Sequence, residues 1–313
     1  MAGPGSAAPV AGEASTVPPP GPPDRLPGWI RTRPPHGAGY AQVRETVSRL
    51  GLGTVCQEAR CPNLSECWSA GTATLMLLGT DCTRRCGFCA VTTHWPRQVV
   101  DRTEPARVAE GIARWGLRYA VLTQVCRDDL ADGGAGILAE TVREIRSRSP
   151  GTLVELLIGD LEGREASLAT VLASEPDVLA HNLETVRSRS ESVRDRRASH
   201  DRSLGVLRFA RRNGASGLVT KSSVMLGLGE TEEELASTFR ELRSEGVDLL
   251  TLGQYLRPSP SHLPVVRYVP PEEFDRLRES ALRAGFAGVE AGPLVRSSYH
   301  AEELYRAARG RAL

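Results

Sequence analysis

No run of this 313-residue sequence is apolar for long enough to cross a bilayer. No basic segment leads into an apolar core near the N-terminus, so a secretory leader is not expected. The first arginine is Arg25, and the opening segment therefore also lacks the Arg-rich character of an organellar transit peptide. Excess charge of one sign is missing as well. The 39 Lys and Arg stand against 38 Asp and Glu, a net charge of +1, which gives no electrostatic argument for nucleic acid or an anionic membrane as partner. Met and Phe are scarce, at 3 and 5, while Arg, Ala and Gly abound, a bias that points to coding composition rather than to function. An even cysteine count is absent too: there are seven. The expected location is the cytoplasm, where thiols stay reduced and grouped cysteines read as metal ligands rather than disulfides.

Residues 1–24 are Ala, Gly, Pro and Ser with almost no large apolar side chains, which predicts a disordered tail. Residues 25–71 form an N-terminal extension, opening with a Pro-rich arm over 25–39 expected to pack Trp29 and Ile30 against the domain. From about residue 72 the pattern alternates. Apolar β-rich runs at 73–78, 119–123, 153–158, 177–181, 217–226 and 247–252 are separated by helical spacing at 104–115, 134–148, 165–174, 202–213 and 231–245. A further helix is expected at 271–285. Strand and helix repeated with short connections mean a parallel sheet covered by helices, and near-continuous apolar strands fit burial on both faces. Six units fit an incomplete, curved (βα)6 barrel over 72–290, followed by a C-terminal segment at 291–313. A doubly wound open sheet has the same periodicity, since periodicity does not fix strand order.

The unusual residues fall where strands end, the edge at which such folds gather their chemistry. Cys82, Cys86 and Cys89 stand in DCTRRCGFCA just past the first strand. Three thiolates on one short loop can hold three corners of an iron–sulfur cube and leave one iron open. The alternative is a zinc site, with His94 the nearby fourth ligand. Cys56, Cys61 and Cys67 stand in CQEARCPNLSECW, ahead of the first strand, and suit a second metal centre, a zinc knuckle or buried thiols. Gly133 and Gly134 follow the second strand, where glycine lets backbone approach a ligand, or simply opens a helix capped by Asp132. Asn182 and Glu184 end the fourth strand and offer polar ends to a pocket. Arg194 offers a fork for a carboxylate within a run that otherwise reads as a solvated face. His181 reads as a packed strand-end residue. Lys221 lies mid-strand and should face a polar barrel interior, and Gln254 and Tyr255 close the sixth strand within reach of a purine.

The first triplet, with Phe88 directly before its last cysteine, resembles the radical SAM superfamily. From about residue 25 to 303 the chain is moreover similar to the lipoyl synthase family. The motifs that carry the likeness are CQEARCPNLSECW, GTATLMLLG, CTRRCGFCAV, RDDLADGGA, AHNLETV, TKSSVMLGLGET, LTLGQYLRPS and GPLVRSSYHAEE. The resemblance implies two 4Fe–4S clusters. Cys82, Cys86 and Cys89 would hold the one that binds and cleaves S-adenosylmethionine. Cys56, Cys61 and Cys67, with Ser298 of the RSSY stretch as fourth ligand, would hold an auxiliary one that gives up its sulfur. It further implies that Phe88, Gly133, Gly134, Asn182, Glu184 and Arg194 meet S-adenosylmethionine. The implied substrate is an octanoyl-lysine on a lipoyl carrier, such as the lipoyl domains of 2-oxoacid dehydrogenase acyltransferases or the glycine cleavage H protein. Sulfur would enter at carbons 6 and 8, with a reducing electron donor and with neither nucleic acid nor membrane as partner. A serine oxygen is a poorer match for iron than a thiolate, which suits a cluster that must come apart. Without the resemblance Ser298 is only a hydroxyl ahead of a helix over 301–309.

This chain departs from the family pattern at a few positions. Cys126 stands where an aspartate is usual and Gln124 where a serine is, ELLIGD replaces ECLTPD, and VRDRRA lacks its proline. These changes bear on the shape of the substrate pocket. Two other functions stay open on the residues alone. One is a radical SAM methylthiotransferase, which usually carries an extra RNA- or cofactor-binding domain; the other is a zinc-stabilised scaffold without catalysis.

Overall fold

A computed structural model of the chain describes residues 26–31, 37–69, 72–95 and 99–311, so the tail expected over 1–24 lies outside the described residues. In chain order come α1 (Gly37–Leu50), β1 (Thr74–Leu77), α2 (Glu104–Trp115), β2 (Tyr119–Gln124), α3 (Ala135–Arg148), β3 (Leu153–Leu157) and α4 (Glu165–Leu172). They continue with β4 (Val178–Ala180), α5 (His200–Asn213), β5 (Val219–Leu226), α6 (Glu232–Ser244), β6 (Leu249–Gln254), α7 (Pro271–Arg283), β7 (Gly288–Gly292) and α8 (Ala301–Arg311). Strands β1 to β7 are parallel and neighbour one another in sequence order. That order is the one a curved half-barrel requires, and it removes the doubly wound alternative. The order is linear, with Gly53–Thr54 added antiparallel outside β1 and, among the described residues, nothing joining β7 to β1, so the sheet curls without closing.

The local causes are ordinary. All four residues of β1, TLML, are buried, and β6 is buried throughout, as strands covered by helices on one face and a filled interior on the other must be. Helix α2 has Pro105 in its first turn and ends at Gly116 with φ +61°, the left-handed stop that a helix C-terminus favours. Helix α6 opens with a capping box between Thr231 and Glu234. Leu122, Leu138, Ile145, Leu156 and Leu179 pack the first half of the core, and Phe239, Leu250, Leu252 and Phe274 the second.

The seventh strand, GVEAG, is not among the six expected. It is short, with one β-branched residue, and is held by pairing Gly288 to Gly292 against Leu249 to Gly253 rather than by its own propensity. In the N-terminal arm Ile30 is buried but Trp29 stays 46% exposed. A turn in which Ile30 N donates to Pro27 O turns only one of the two inward. No helix among the described residues is long and apolar enough to cross a membrane.

The base of the barrel is sealed by charge and aromatics together. Lys221 points inward as expected, and its Nζ donates to both Glu155 oxygens, at 2.9 and 3.1 Å. Tyr119 donates to the same carboxylate at 2.6 Å, and its ring meets Tyr305 of α8 at 5.9 Å between centroids. Breaking a buried pair on one side strands the other charge. Lys221→Met should therefore lower the unfolding free energy by about 3–5 kcal/mol. A Lys221→Met/Glu155→Leu double variant should recover most of it. Urea unfolding of the three chains decides; a single variant as stable as the parent would show that the pair carries no such weight.

Candidate metal centres

The C-terminal ends of the strands open into a cavity of about 500 Å³, a volume suited to a cofactor-sized ligand. Cys82, Cys86, Phe88 and Cys89 line one side, Asn182, Glu184 and Arg194 another, and Gly253, Gln254 and Tyr255 a third. A second cavity of about 570 Å³ lies on the outer surface between α4 and α5, against Glu165, Arg202 and Arg212, and no cysteine lines it.

The loop carrying the first triplet is anchored by a buried arginine. Arg84 donates to Asp128 at 2.7 and 3.0 Å and to Asp160 at 2.7 and 2.8 Å, a pair of forks that ties the loop to the ends of β2 and β3. Burial alone would raise both carboxyls, but the Arg84 guanidinium holds them below the usual range. Backbone N–H groups of Arg84 and Asp195 each point at a sulfur, Cys82 and Cys86 respectively, both at 3.4 Å. Such donors are what iron-bound thiolates take up. Burial pushes the Cys86 thiol up to about 11 and Cys89 up to about 12. Cys82 is drawn down to about 6, first by a hydrogen bond from the Cys126 thiol. At neutral pH most of these groups are therefore protonated thiols, and metal binding must displace their protons. His94, the candidate zinc ligand, does not line the cavity; its ring is half exposed and 4.0 Å from Asp81. Three reduced sulfurs facing one cavity, two of them met by N–H donors, fit an iron–sulfur cluster as the donor set demands.

The polar wall is prepared for a ligand. Asn182 donates to Glu184, whose backbone is turned to φ +69° beside Val224. Burial raises the Glu184 carboxyl, and the Arg194 charge works against that rise. The Oδ1 of Asn182 and the Oε1 of Gln124 are buried without a protein partner, acceptors that a bound molecule would satisfy. Arg194 is fixed from behind. Its Nη1 donates to Ser203 Oγ at 2.9 Å, Ser203 donates to His181 Nε2 at 2.9 Å, and His181 Nδ1 donates to Ile158 O at 2.9 Å. This chain of contacts requires a neutral imidazole, and burial, reinforced by Arg194, lowers the His181 pKa to about 4.

Gly133 and Gly134 do not line the cavity. Their φ values of +64° and +91° open α3, and a Cβ on Gly134 would fall 2.1 Å from Leu78 and one on Gly133 3.0 Å from Leu161, so packing by itself asks for glycine at both positions. Gln254 lines the cavity but spends its amide on backbone, donating to Leu226, Tyr255 and Arg267 carbonyls and accepting from Val269 N at 2.8 Å. The Tyr255 hydroxyl likewise donates to Leu263 O at 2.8 Å. Both residues build the wall, with their polar groups already bonded to backbone.

The second triplet gathers outside that wall. Cys56, Cys61 and Cys67 pack with Val43, Val47, Trp68 and Ala73, between α1 and the edge of β1. Burial raises all three thiols, Cys67 to about 12 with help from its two neighbours. Residues 293–300 run from β7 back across the open seam to reach them. They cross β6 at Gly253, where a Cβ would sit 2.1 Å from Val295 O. Asn63 Nδ2 then donates to Leu294 O at 2.6 Å, and the Tyr299 hydroxyl donates to Glu66 at 3.1 Å. Thr74 donates its hydroxyl to Ser298 Oγ at 2.9 Å, while its backbone N–H meets Cys56. One residue thus holds Ser298 beside the triplet. Arg296 faces Cys61, and burial lowers its pKa against the pull of that thiol.

Residues 76–242 match the profile of the Radical SAM superfamily, and residues 13–61 that of the N-terminal domain of lipoyl synthase of the Radical SAM family. Lipoyl synthase of Thermus thermophilus is 55% identical over 287 residues, 91% of this chain and 88% of that one. The Rubrobacter xylanophilus lipoyl synthase is 52% identical over 92% of this chain and 88% of that one. The chain belongs to the lipoyl synthase family. Among solved structures, HydG, a maturase of the [FeFe]-hydrogenase, aligns with a TM-score of 0.53 at 15% identity, over 68% of this chain and 50% of that one. Methylornithine synthase aligns with a TM-score of 0.51 at 17% identity, over 67% and 60%. These two share the fold with this lipoyl synthase family member. Arg84, Asp160, Ser203, Gly253 and Arg296 do not stand out in the sequence. The adjacent Arg84 and Arg85 inside the cysteine loop are the one available signal, since a charged pair there needs partners.

His181 gives a pH signature. Its pKa falls from an unfolded 6.5 to about 4, so its stabilising contribution is complete above pH 6.5 and is lost as pH drops towards 4. The loss over that window should be about 3 kcal/mol. Urea midpoints between pH 7 and 4 should fall less steeply for His181→Gln than for the parent; parallel slopes would show that the imidazole does not bind its proton as described.

Proposed function

We propose that the lipoyl synthase activity of this chain is carried by two cluster sites on either side of one cavity wall. Cys82, Cys86 and Cys89 would hold a 4Fe–4S cluster with S-adenosylmethionine. Cys56, Cys61, Cys67 and Ser298 would hold a second that supplies sulfur. The observation that carries this reading is the strap over residues 293–300, whose Arg296 and Ser297 line the cavity while Ser298 is tied by Thr74 to the second triplet. The reaction is the insertion of sulfur at carbons 6 and 8 of an octanoyl group on a lipoyl carrier protein. The lipoyl domains of 2-oxoacid dehydrogenase acyltransferases and the glycine cleavage H protein are the proposed carriers. A reducing compartment, the cytoplasm, would keep seven thiols free.

When bound, the first cluster and S-adenosylmethionine supply a carbon-centred radical strong enough for an unactivated C–H bond, and the second cluster supplies sulfur. The chain's own residues do the rest. Arg194, already held by Ser203, presents a guanidinium to a carboxylate. Glu184 and the free Asn182 Oδ1 accept from hydroxyl or ammonium groups. Val55, Met76, Val91, Leu157 and Met225 supply an apolar wall that fits an alkyl chain and keeps water from a reactive carbon. Thr74 holds the Ser298 oxygen, a weak ligand for iron, where it can leave without moving the strap.

Iron and acid-labile sulfide, measured on anaerobically reconstituted protein, test this directly. The parent should carry about eight iron atoms per chain and a Cys56/Cys61/Cys67→Ala variant about four. That variant should still release 5′-deoxyadenosine yet form no lipoyl product on an octanoylated peptide. A single cluster unaffected by the substitution would overturn the two-site reading, and zinc in place of iron would overturn both sites. Ser298→Cys should keep the full iron content while lipoyl formation drops roughly tenfold or more, because a thiolate leaves iron less readily. Unchanged product formation would remove Ser298 from the ligand set.

A further inference from the structure

Six of the seven cysteines fall into the two triplets, and Cys126 is left over. It is not isolated. Its thiol lies against the sulfur of Cys82 and shares a hydrogen bond with it. The two backbones are pinned together, because Thr83 N donates to Cys126 O at 3.0 Å, while the Thr83 hydroxyl donates to Asp128 Oδ2 at 2.7 Å and accepts from Asp128 N at 3.1 Å. Behind Cys126 its sulfur rests on Gly159, so close that a Cβ there would stand 3.2 Å away. Both cysteines line the cavity, where a small oxidant can reach them. Cys86 has a different neighbour, the Asp195 N–H.

We propose that Cys82 and Cys126 close a reversible disulfide whenever the first cluster is lost to oxidation, and so keep Cys82 recoverable as a ligand. The proposal takes Cys82 as a cluster ligand from the reading above. The chemistry needs a two-electron oxidant, and hydrogen peroxide is the class that fits the cavity. One thiol gives an electron pair to peroxide, whose O–O bond breaks, leaving a sulfenic acid and one water. The other thiol attacks that sulfur; the S–S bond forms, the S–O bond breaks, and the oxygen leaves with a proton as a second water. Two thiols and one peroxide give one disulfide and two waters. Without Cys126, a sulfenic acid on Cys82 is open to further oxidation to sulfinic acid, which thiols do not reverse. A dithiol reductant reopens the disulfide and returns both thiols.

The test treats the reconstituted full chain with graded peroxide until iron passes to a chelator. Remaining thiols are then alkylated and the digest is read by mass spectrometry. The expected product joins the peptides of Cys82 and Cys126, and dithiothreitol should restore both thiols and iron uptake by the first triplet. In Cys126→Ser the joined peptide must vanish and sulfinic acid on Cys82 should rise severalfold. Linkage of Cys82 to Cys86 or Cys89, unlinked thiols after iron release, or equal sulfinic acid in the two chains would each overturn the proposal. Iron in the untreated chain tests the earlier reading separately, so the two can fail independently.

Discussion

A parallel sheet that curls but does not close must do something with its two edges, and in this chain the seam between β7 and β1 governs the rest. Unpaired strand edges invite wrong partners unless they are covered. Here the chain covers its own seam with residues 293–300. The crossing is possible because Gly253 has no side chain where Val295 O passes. It ends on three polar contacts, from Asn63, Thr74 and Tyr299. The same short segment brings Arg296 to Cys61 and Ser298 to Thr74. Covering the seam and bringing Arg296 and Ser298 beside the second triplet are thus one structural act.

The distribution of polar groups follows from that architecture. At the base, Lys221, Glu155 and Tyr119 satisfy one another and leave nothing for a ligand. At the mouth, Arg84 is saturated by two carboxylates, whereas Asn182 and Gln124 keep buried oxygens without protein partners. Buried polar atoms left unpaired are costly, and finding two of them on one cavity marks the side from which partners arrive. The run of contacts from Ile158 through His181 and Ser203 to Arg194 then fixes a cation where it can meet an anion.

The βα alternation and both cysteine triplets are legible in the amino-acid sequence, because apolar periodicity and thiol spacing are local signals. The strand order is not, since periodicity carries no neighbour information; a run of sequential parallel pairings supplies it. GVEAG escapes a reading by propensity because its strand character comes from pairing with β6 rather than from its own residues. Gly133 and Gly134 read as a ligand turn or a helix opening, and the side chains of Leu78 and Leu161 add a packing reason that no local pattern shows. Gln254 looks like a base reader, yet four backbone groups have already claimed it. For the glycine turn and for the glutamine alike, these contacts come from other parts of the chain. Ser298 differs: as a lone hydroxyl it carries no local signal, the resemblance singles it out, and the fold sets it against Thr74.

The contact between Thr74 and Ser298 spans 224 positions of sequence, with every barrel strand after the first in between. Bringing such distant points together costs chain entropy that only a formed barrel can offset. The first triplet, by contrast, lies on one short loop. The segment that carries Ser298 can therefore take its place only late in folding, after the strands between these two residues have paired.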